Sequence, residues 1–154
     1  MTLVGATACT ASRQCNQSGG TRCTVIVVDA SVLANVLADD GMDGRRARTE
    51  LRQAGDVSAP DLVDVETVAV LRKSWLAKTL TAHRFATAVD DLRALDVQRF
   101  PALPFMRRAY ELRSSVTVYD AVYVALAEAL GCELLTADAR LAKAHGPRCS
   151  VRVL

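Results

Sequence analysis

The hydrophobic pattern of the chain changes period several times, and each change marks an element. Val25–Val28 is an unbroken apolar run, VIVV, suited to a strand buried on both faces. It predicts a strand over Thr24–Val28 that ends on Asp29. Ser31–Ala38 predicts an apolar helix running into the turn-rich DDGMDG. A basic helix follows over Arg45–Ala54, stopped by Gly55, a residue suited to the position after a helix end. Asp56–Ala59 predicts a short strand, Asp61 opens a long helix to about Lys78, and Thr81–Leu95 predicts another. Asp96–Phe100 reads as a strand, and after Pro101 and Pro104 a helix extends to Ser114. Tyr119–Leu130 is apolar nearly all round, the mark of a buried helix, and Gly131 ends it. Glu133–Thr136 predicts a strand, Ala139–Ala144 a short helix and Ser150–Leu154 a last strand.

Strands alternating with helices predict an α/β fold in three layers, with a central, mostly parallel sheet and helices on both faces. Such sheets bind ligands beyond the carboxyl ends of their strands. Asp29 and Asp138 both fall there.

Composition narrows the class. The chain has 154 residues, 51% of them hydrophobic and 23% charged, with eight glycines and four prolines. That is one ordinary globular domain, without low-complexity tracts or repeats. No apolar run reaches the roughly 18–20 residues of a membrane span. The opening MTLVGATACTASRQCNQSGGTRC has no periodicity, no basic start and no sustained apolar segment. Residues 1–23 are expected to be a disordered or non-native leader rather than a secretory signal, and 24–154 a single domain. The formal net charge is +2, and the leader's Arg13 and Arg22 account for all of it. A phosphate-binding surface can therefore come only from segregated charge. The five cysteines form no CxxC pair and no His stands at metal-ligand spacing. Cys9, Cys15 and Cys23 lie in the leader, and Cys132 and Cys149 flank predicted strands. This fits reduced thiols in a cytoplasmic protein.

The acids carry the candidate chemistry. A carboxylate at the edge of a buried strand is costly to desolvate and needs a partner. Taken singly, Asp29, Asp120 and Asp138 read as helix N-caps. Glu66 lies too far into its helix to be a cap, with Leu62 and Val70 one turn either side, so its bland reading is a buried ion pair. As a set they resist that reading. The fold brings Asp29 and Asp138 to one sheet edge, within reach of the helix start at Asp120. Carboxylates about 4–5 Å apart repel by roughly 3–4 kcal/mol per pair at an effective dielectric near 20. Hard oxygen ligands without His or Cys select Mg²⁺ or Mn²⁺ over zinc. A cation so held serves phosphoryl transfer: it acidifies water and neutralises charge on phosphate oxygens.

Rival chemistries lack their residues. There is no GxxxxGKS or GxxxxGKT loop, no GxGxxG after the first strand and no GxSxG turn. A metal-free ribonuclease would want a pair of histidines for acid and base. His83 and His145 sit on a polar helix and beside a Gly-Pro turn, and are expected to be exposed. An Asp-nucleophile phosphatase usually offers a second Asp two residues on, where this chain has Ser31.

Three stretches, VVDASVL, PDLVDVETVAVLRK and YDAVYVALAEALGCELLTADARLA, together resemble the PIN domain, and specifically the bacterial VapC-type toxins. The resemblance runs from about Val25 to the C-terminus, and its last stretch is the most specific. It implies a PIN-like α/β/α fold and a Mg²⁺-dependent endoribonuclease that cleaves structured RNA, often transfer or ribosomal RNA. It also implies inhibition by a cognate VapB-like antitoxin, and usually a dimer. Asp29, Glu66, Asp120 and Asp138 match the family's acidic metal site, and Ser31 and Thr136 its supporting hydroxyls. The leader departs from the family, whose members usually reach the first aspartate within a few residues of their start. Val25 is therefore expected near the true start.

Basic pairs and clusters offer phosphate contacts. Arg45, Arg46, Arg48 and Arg52 share a helix, and Arg72 with Lys73 and Arg107 with Arg108 form pairs. The bland reading for any of them is a solvated helix face. Aromatics are sparse, so single-strand stacking is not signalled. Trp75 and Phe85 read as core or dimer contacts. Two other functions stay open: an RNA-processing nuclease without an antitoxin, and a non-catalytic module that binds a partner. A pure binder has no reason to keep four mutually repelling carboxylates.

Overall fold

The computed structural model describes residues 25–154. The leader expected over 1–23, with its three cysteines, and Thr24 lie outside the described residues. The elements are β1 (Val25–Val28), α1 (Ala30–Ala38), α2 (Met42–Gln53), β2 (Asp56–Pro60), α3 (Val63–Leu76), α4 (Ala82–Ala94), β3 (Gln98–Phe100), α5 (Met106–Glu111), α6 (Val118–Leu130), β4 (Glu133–Thr136) and β5 (Val151–Val153), with 3-10 turns at Leu103–Phe105 and Leu141–Lys143.

The five strands form one parallel sheet in the order β3-β2-β1-β4-β5. Val27 of the central strand pairs with Ser58 on one side and Leu134 on the other. Ile26, Val27 and Val28 are buried, which explains a run without polar alternation. Parallel strands joined by right-handed crossovers place their helices according to direction of travel. The chain moves from β1 to β2 to β3 in one direction, then returns past β1 to β4 and β5. Its first and second halves therefore cover opposite faces. Accordingly α1 packs on α2, α3 and α4, while α6 lies on β1, β2 and β4 with α5 beside it. Ala121 to Ala127 of α6 are all buried, as the apolar pattern requires. The direction of travel reverses between β1 and β4. Their carboxyl ends are the switch point at which an open parallel sheet opens a crevice.

Several element ends differ from the sequence reading for local reasons. Helix α1 starts one residue early because Asp29 caps it, accepting from the Val32 N–H at 3.0 Å. Helix α2 starts at Met42, inside DDGMDG, because the Asp39 carboxylate accepts from the backbone of Gly41 at 2.7 Å and of Gly44 at 2.8 Å. Gly44 is obligatory there, since a Cβ would sit 1.7 Å from the Asp39 carbonyl oxygen. Helix α3 spans neither Asp61 nor Lys78. The Asp61 carboxylate instead accepts from Ala102 N–H, and Lys78 turns left-handed at φ 60°. The helix expected up to Ser114 is broken into a 3-10 turn holding Pro104 and the short α5. After β4 the short helix is a single 3-10 turn.

Salt bridges pin the periphery. Arg108 forks Glu128 at 2.7 and 3.0 Å and also reaches the Gly146 carbonyl, tying α5 to α6. Arg99 of β3 forks Asp64 of α3. Arg152 of β5 bridges Glu50 and Glu133.

Candidate active site

Asp29 leaves the end of β1, Thr136 ends β4, and a web of hydroxyls joins the two. Ser31 Oγ donates to Asp29 Oδ1 at 2.6 Å, and Thr136 Oγ1 donates to Asp29 Oδ2. The same hydroxyl oxygens accept from the next turn of chain, Ser31 from Ala137 N–H and Thr136 from Asp138 N–H, both at 2.9 Å. Both residues therefore hold the switch point closed around Asp29, which is 8% exposed. Burial pushes the Asp29 carboxyl above its ordinary value, and the bonds from Ser31, Thr136 and Val32 only partly oppose this.

Glu66 stands in the first turn of α3 and faces Asp29 across the crevice. Its partner is not a base: the Tyr123 hydroxyl donates to Oε2 at 2.5 Å. The expected bland reading, a buried ion pair, is not what the structure has. Burial raises the Glu66 pKa, the Tyr123 bond lowers it, and the charges of Asp120 and Asp29 raise it further. Asp120 is not the N-cap of α6 either. Thr117 is the cap, accepting from Asp120 N–H at 3.2 Å and donating to Asp120 Oδ2 at 2.7 Å. Asp138 caps only its own turn, through Arg140 N–H at 2.8 Å, and Arg140 forks it at 2.6 to 3.1 Å. That guanidinium, with the backbone bond, holds the Asp138 carboxyl below its usual range.

All four acids line one cavity of about 370 Å³, together with Ser31, Val70, Lys73 and Tyr123. Among the described residues no Lys or Arg lies within ion-pair distance of Asp29, Glu66 or Asp120. An all-oxygen pit of this charge suits a hard divalent cation in kind. Among the described residues no three acids are gathered as a ready ligand cluster. A cation would thus take one or two carboxylates and keep much of its water, the usual manner of Mg²⁺.

The basic candidates separate. Lys73 lines the pit, and Arg72 is exposed beside it on α3. Arg45 and Arg48 donate to carbonyls at the far end of α1, Arg45 to Asp40 and Arg48 to Val36 and Asp39. Helix α1 has nine residues, so the carbonyls that Arg45 and Arg48 bind lie about 9–13 Å down its axis from the pit; Arg46 stands with them on α2. Trp75 and Phe85 meet with ring centroids 6.4 Å apart, and Trp75 is 42% exposed. His83 and His145 are exposed.

Three participants escaped the sequence reading: Tyr123, Thr117 and Arg140. A phenol inside an otherwise aliphatic buried helix was the available signal, because a buried hydroxyl needs a partner. Thr117, three residues before an acid at a helix start, has the spacing of an N-cap. Nothing local marked Arg140.

Comparison with known proteins agrees with this geometry. The PIN domain family model matches residues 26–147. Ribonuclease VapC12 of Mycobacterium tuberculosis is 37% identical over 131 residues, which cover 84% of this chain and 99% of the relative. Among solved structures, Mycobacterium tuberculosis VapC20, a Sarcin-Ricin loop cleaving toxin, superposes with TM-score 0.62 at 19% identity, covering 77% of this chain and 93% of that one. VapBC2 from Rickettsia felis, bound to a DNA fragment from their promoter, superposes with TM-score 0.62 at 14% identity, covering 85% of this chain and 99% of the other. The fold, the family model and the length of the match to VapC12 agree that this chain belongs to the PIN-domain family, among the VapC ribonucleases.

Proposed function

We propose that the protein is the toxin of a type II toxin–antitoxin pair, a Mg²⁺-dependent endoribonuclease that cuts structured RNA, transfer or ribosomal, at a specific site. The observation that carries the reading is the meeting of Asp29, Glu66, Asp120 and Asp138, from four separate segments, around one cavity at the sheet's switch point. Asp29, Asp120 and Asp138, with Glu66, would hold Mg²⁺, or Mn²⁺ in its place, one or two of them directly and the others through its bound water. Once bound, the cation would supply the acidified water and the charge neutralisation that in-line attack on a phosphodiester needs. Glu66, oriented by Tyr123 and with a raised pKa, takes the proton from the attacking water at its carboxylate. Ser31 and Thr136 hold Asp29 in place, and Lys73 at the rim meets the incoming phosphate. Attack by water leaves a 5′-phosphate and a 3′-hydroxyl.

The partner is a VapB-like antitoxin. Solved relatives that include an antitoxin, such as VapBC2, support this. A homodimer fits the exposed Trp75 beside Phe85. No described helix is long and apolar enough to cross a membrane, and the cytoplasm is the compartment we propose.

The test is cleavage of total cellular RNA by purified protein in Mg²⁺, in EDTA and as Asp120→Asn. Discrete fragments that need both the cation and Asp120 are expected. Cleavage that survives both changes, or products ending in 2′,3′-cyclic phosphate, would refute the mechanism. Growth arrest on expression, relieved by a neighbouring gene product, separates a toxin from a processing nuclease.

A further inference from the structure

A second cavity, of about 430 Å³, adjoins the acidic pit and shares Asp120 and Asp138 with it as a common wall. Its remaining lining is of opposite character: Arg113 and Arg140, with Ser114, Ser115 and Thr117 between them. Arg113 has no carboxylate within ion-pair distance among the described residues. Its guanidinium lies 4.2 Å from the Tyr110 ring centroid and donates to the Tyr110 carbonyl at 3.0 Å. That arrangement fixes the group in space and leaves its charge unspent, unlike Arg99, Arg108 and Arg152, which all bridge acids. Arg140 is held only by Asp138, and its side chain is 92% exposed. An exposed pair of this kind is held weakly and exchanges readily.

From this juxtaposition we infer that the second cavity is the subsite for the phosphate next to the scissile one in an RNA strand, with Arg113 as its fixed contact and Arg140 as a mobile one. Arg140 forks Asp138 in the free protein and transfers to the phosphate when the strand binds, which frees Asp138 for the cation. The inference rests on the reading of the acidic pit as the site of phosphodiester cleavage. It names where the strand runs beyond that site. Successive phosphates on one strand lie only a few ångströms apart. A strand with one phosphate in the pit must therefore place the next beside it, and this cavity, which brings Arg113 and Arg140 to the pit's wall, adjoins it. A protein segment has no such obligatory repeat of charge, so RNA is the occupant the geometry favours. Because Arg140 and the cation compete for Asp138, RNA and cation should each tighten binding of the other, by reciprocal linkage.

The probe is a short fluorescein-labelled oligouridylate, bound with Ca²⁺ in place of Mg²⁺ and titrated over a range of salt. Arg113→Gln and Arg140→Gln should each weaken binding several-fold and lower the salt slope by about 0.7, the value for one phosphate contact on a single strand. Arg113→Lys should restore the slope, which a purely structural arginine would not do. Arg148→Gln, at the amino ends of the strands beside Val25 and Glu133, should leave the slope unchanged. Calorimetry with Mn²⁺ alone should show Arg140→Gln binding the cation several-fold more tightly than wild type. Slopes unmoved by both cleft substitutions, an equal drop in Arg148→Gln, or no binding of the probe overturns the subsite. Mn²⁺ affinity that is unchanged or weaker in Arg140→Gln overturns the transfer. Substitutions that spare RNA binding but weaken capture of the antitoxin would assign the cavity to the protein partner and also overturn it. Metal-dependent, Asp120-dependent cleavage with unmoved slopes sinks only this inference. Cleavage indifferent to EDTA and to Asp120→Asn sinks the reading beneath it.

Discussion

Asp120 and Glu128 stand on the same helix, α6, yet they are held by different chemistry. Glu128 accepts both arms of the Arg108 guanidinium and the Arg148 N–H, and its side chain is 13% exposed. Burial alone would raise its pKa, but Arg108 and the backbone bond outweigh that and leave it lowered. Asp120 has only the Thr117 hydroxyl, as Glu66 has Tyr123 and Asp29 has Ser31 and Thr136. A guanidinium neutralises a carboxylate and anchors it. A hydroxyl orients a carboxylate and leaves its charge for another cation. The acids that bridge separate elements, Asp64, Glu128, Glu50 and Glu133, have arginines, and the pit's acids have hydroxyls. Asp138 is the exception, and its arginine is exposed and on its own turn.

The contrast is broken most severely by removing a pit charge. Asp120→Asn keeps the size of the side chain and its acceptor toward Thr117. It should lower RNA cleavage by about 10³-fold or more, the scale of losing cation-borne stabilisation of the transition state. Its thermal midpoint should equal or exceed that of wild type, because one of several mutually repelling charges is gone. Removing an arginine should do the reverse. Arg108→Ala leaves Glu128 buried without its partner and should cost about 2–4 kcal/mol in denaturant unfolding. Cleavage per folded molecule should be retained. A loss of activity in Arg108→Ala without loss of stability would erase the distinction.

Titration sharpens the comparison. Asp29 and Glu66 have raised pKa values in the folded protein. Their contribution to stability is therefore present below the ordinary carboxylate pKa of about 4 and is lost as pH rises through the raised values. Cation affinity runs the other way. It should fall as pH drops through that window, by about tenfold per pH unit for each proton that must be displaced. Mn²⁺ calorimetry against pH should thus show binding lost at a pH above the ordinary carboxylate value. A midpoint at the ordinary carboxylate value would show that the pit is not desolvated. Glu128, with its pKa lowered, keeps its stabilising charge down to more acidic pH, so melting in EDTA should not show a loss in the same window. The smallest effect is expected from Tyr123→Phe. Losing one hydrogen bond should cost about 0.5–1.5 kcal/mol. Because that bond lowers the Glu66 pKa, the acid limb of the cleavage–pH profile should move to higher pH.

Much of this was legible along the chain, and what was not has a common cause. VIVV ending on an aspartate marked a central strand because both faces of β1 are covered. The four acids were legible because each interrupts a pattern that burial otherwise keeps apolar. Element ends were read less well where a side chain from elsewhere intervened, as when Asp39 started α2 early and Asp61 left α3 for Ala102. Periodicity shows that Arg45, Arg46 and Arg48 share a helix, not where that helix stands relative to the pit. Arg45 and Arg48 in fact bind carbonyls at the end of α1 away from the pit.

By itself the sequence determined the alternation of strands and helices, the burial of β1 and α6, and the identity of the pit's acids. These are properties of spacing and local chemistry, which every window of the chain carries. Only the tertiary structure decided who partners whom: Tyr123 with Glu66, Thr136 with Asp29, Lys73 at the rim, and Arg113 and Arg140 in the cavity next door. Most of those pairings join residues far apart in the chain, through a reversal of strand order between β1 and β4. No local window encodes that reversal, because it follows from how crossovers cover the two faces of a sheet.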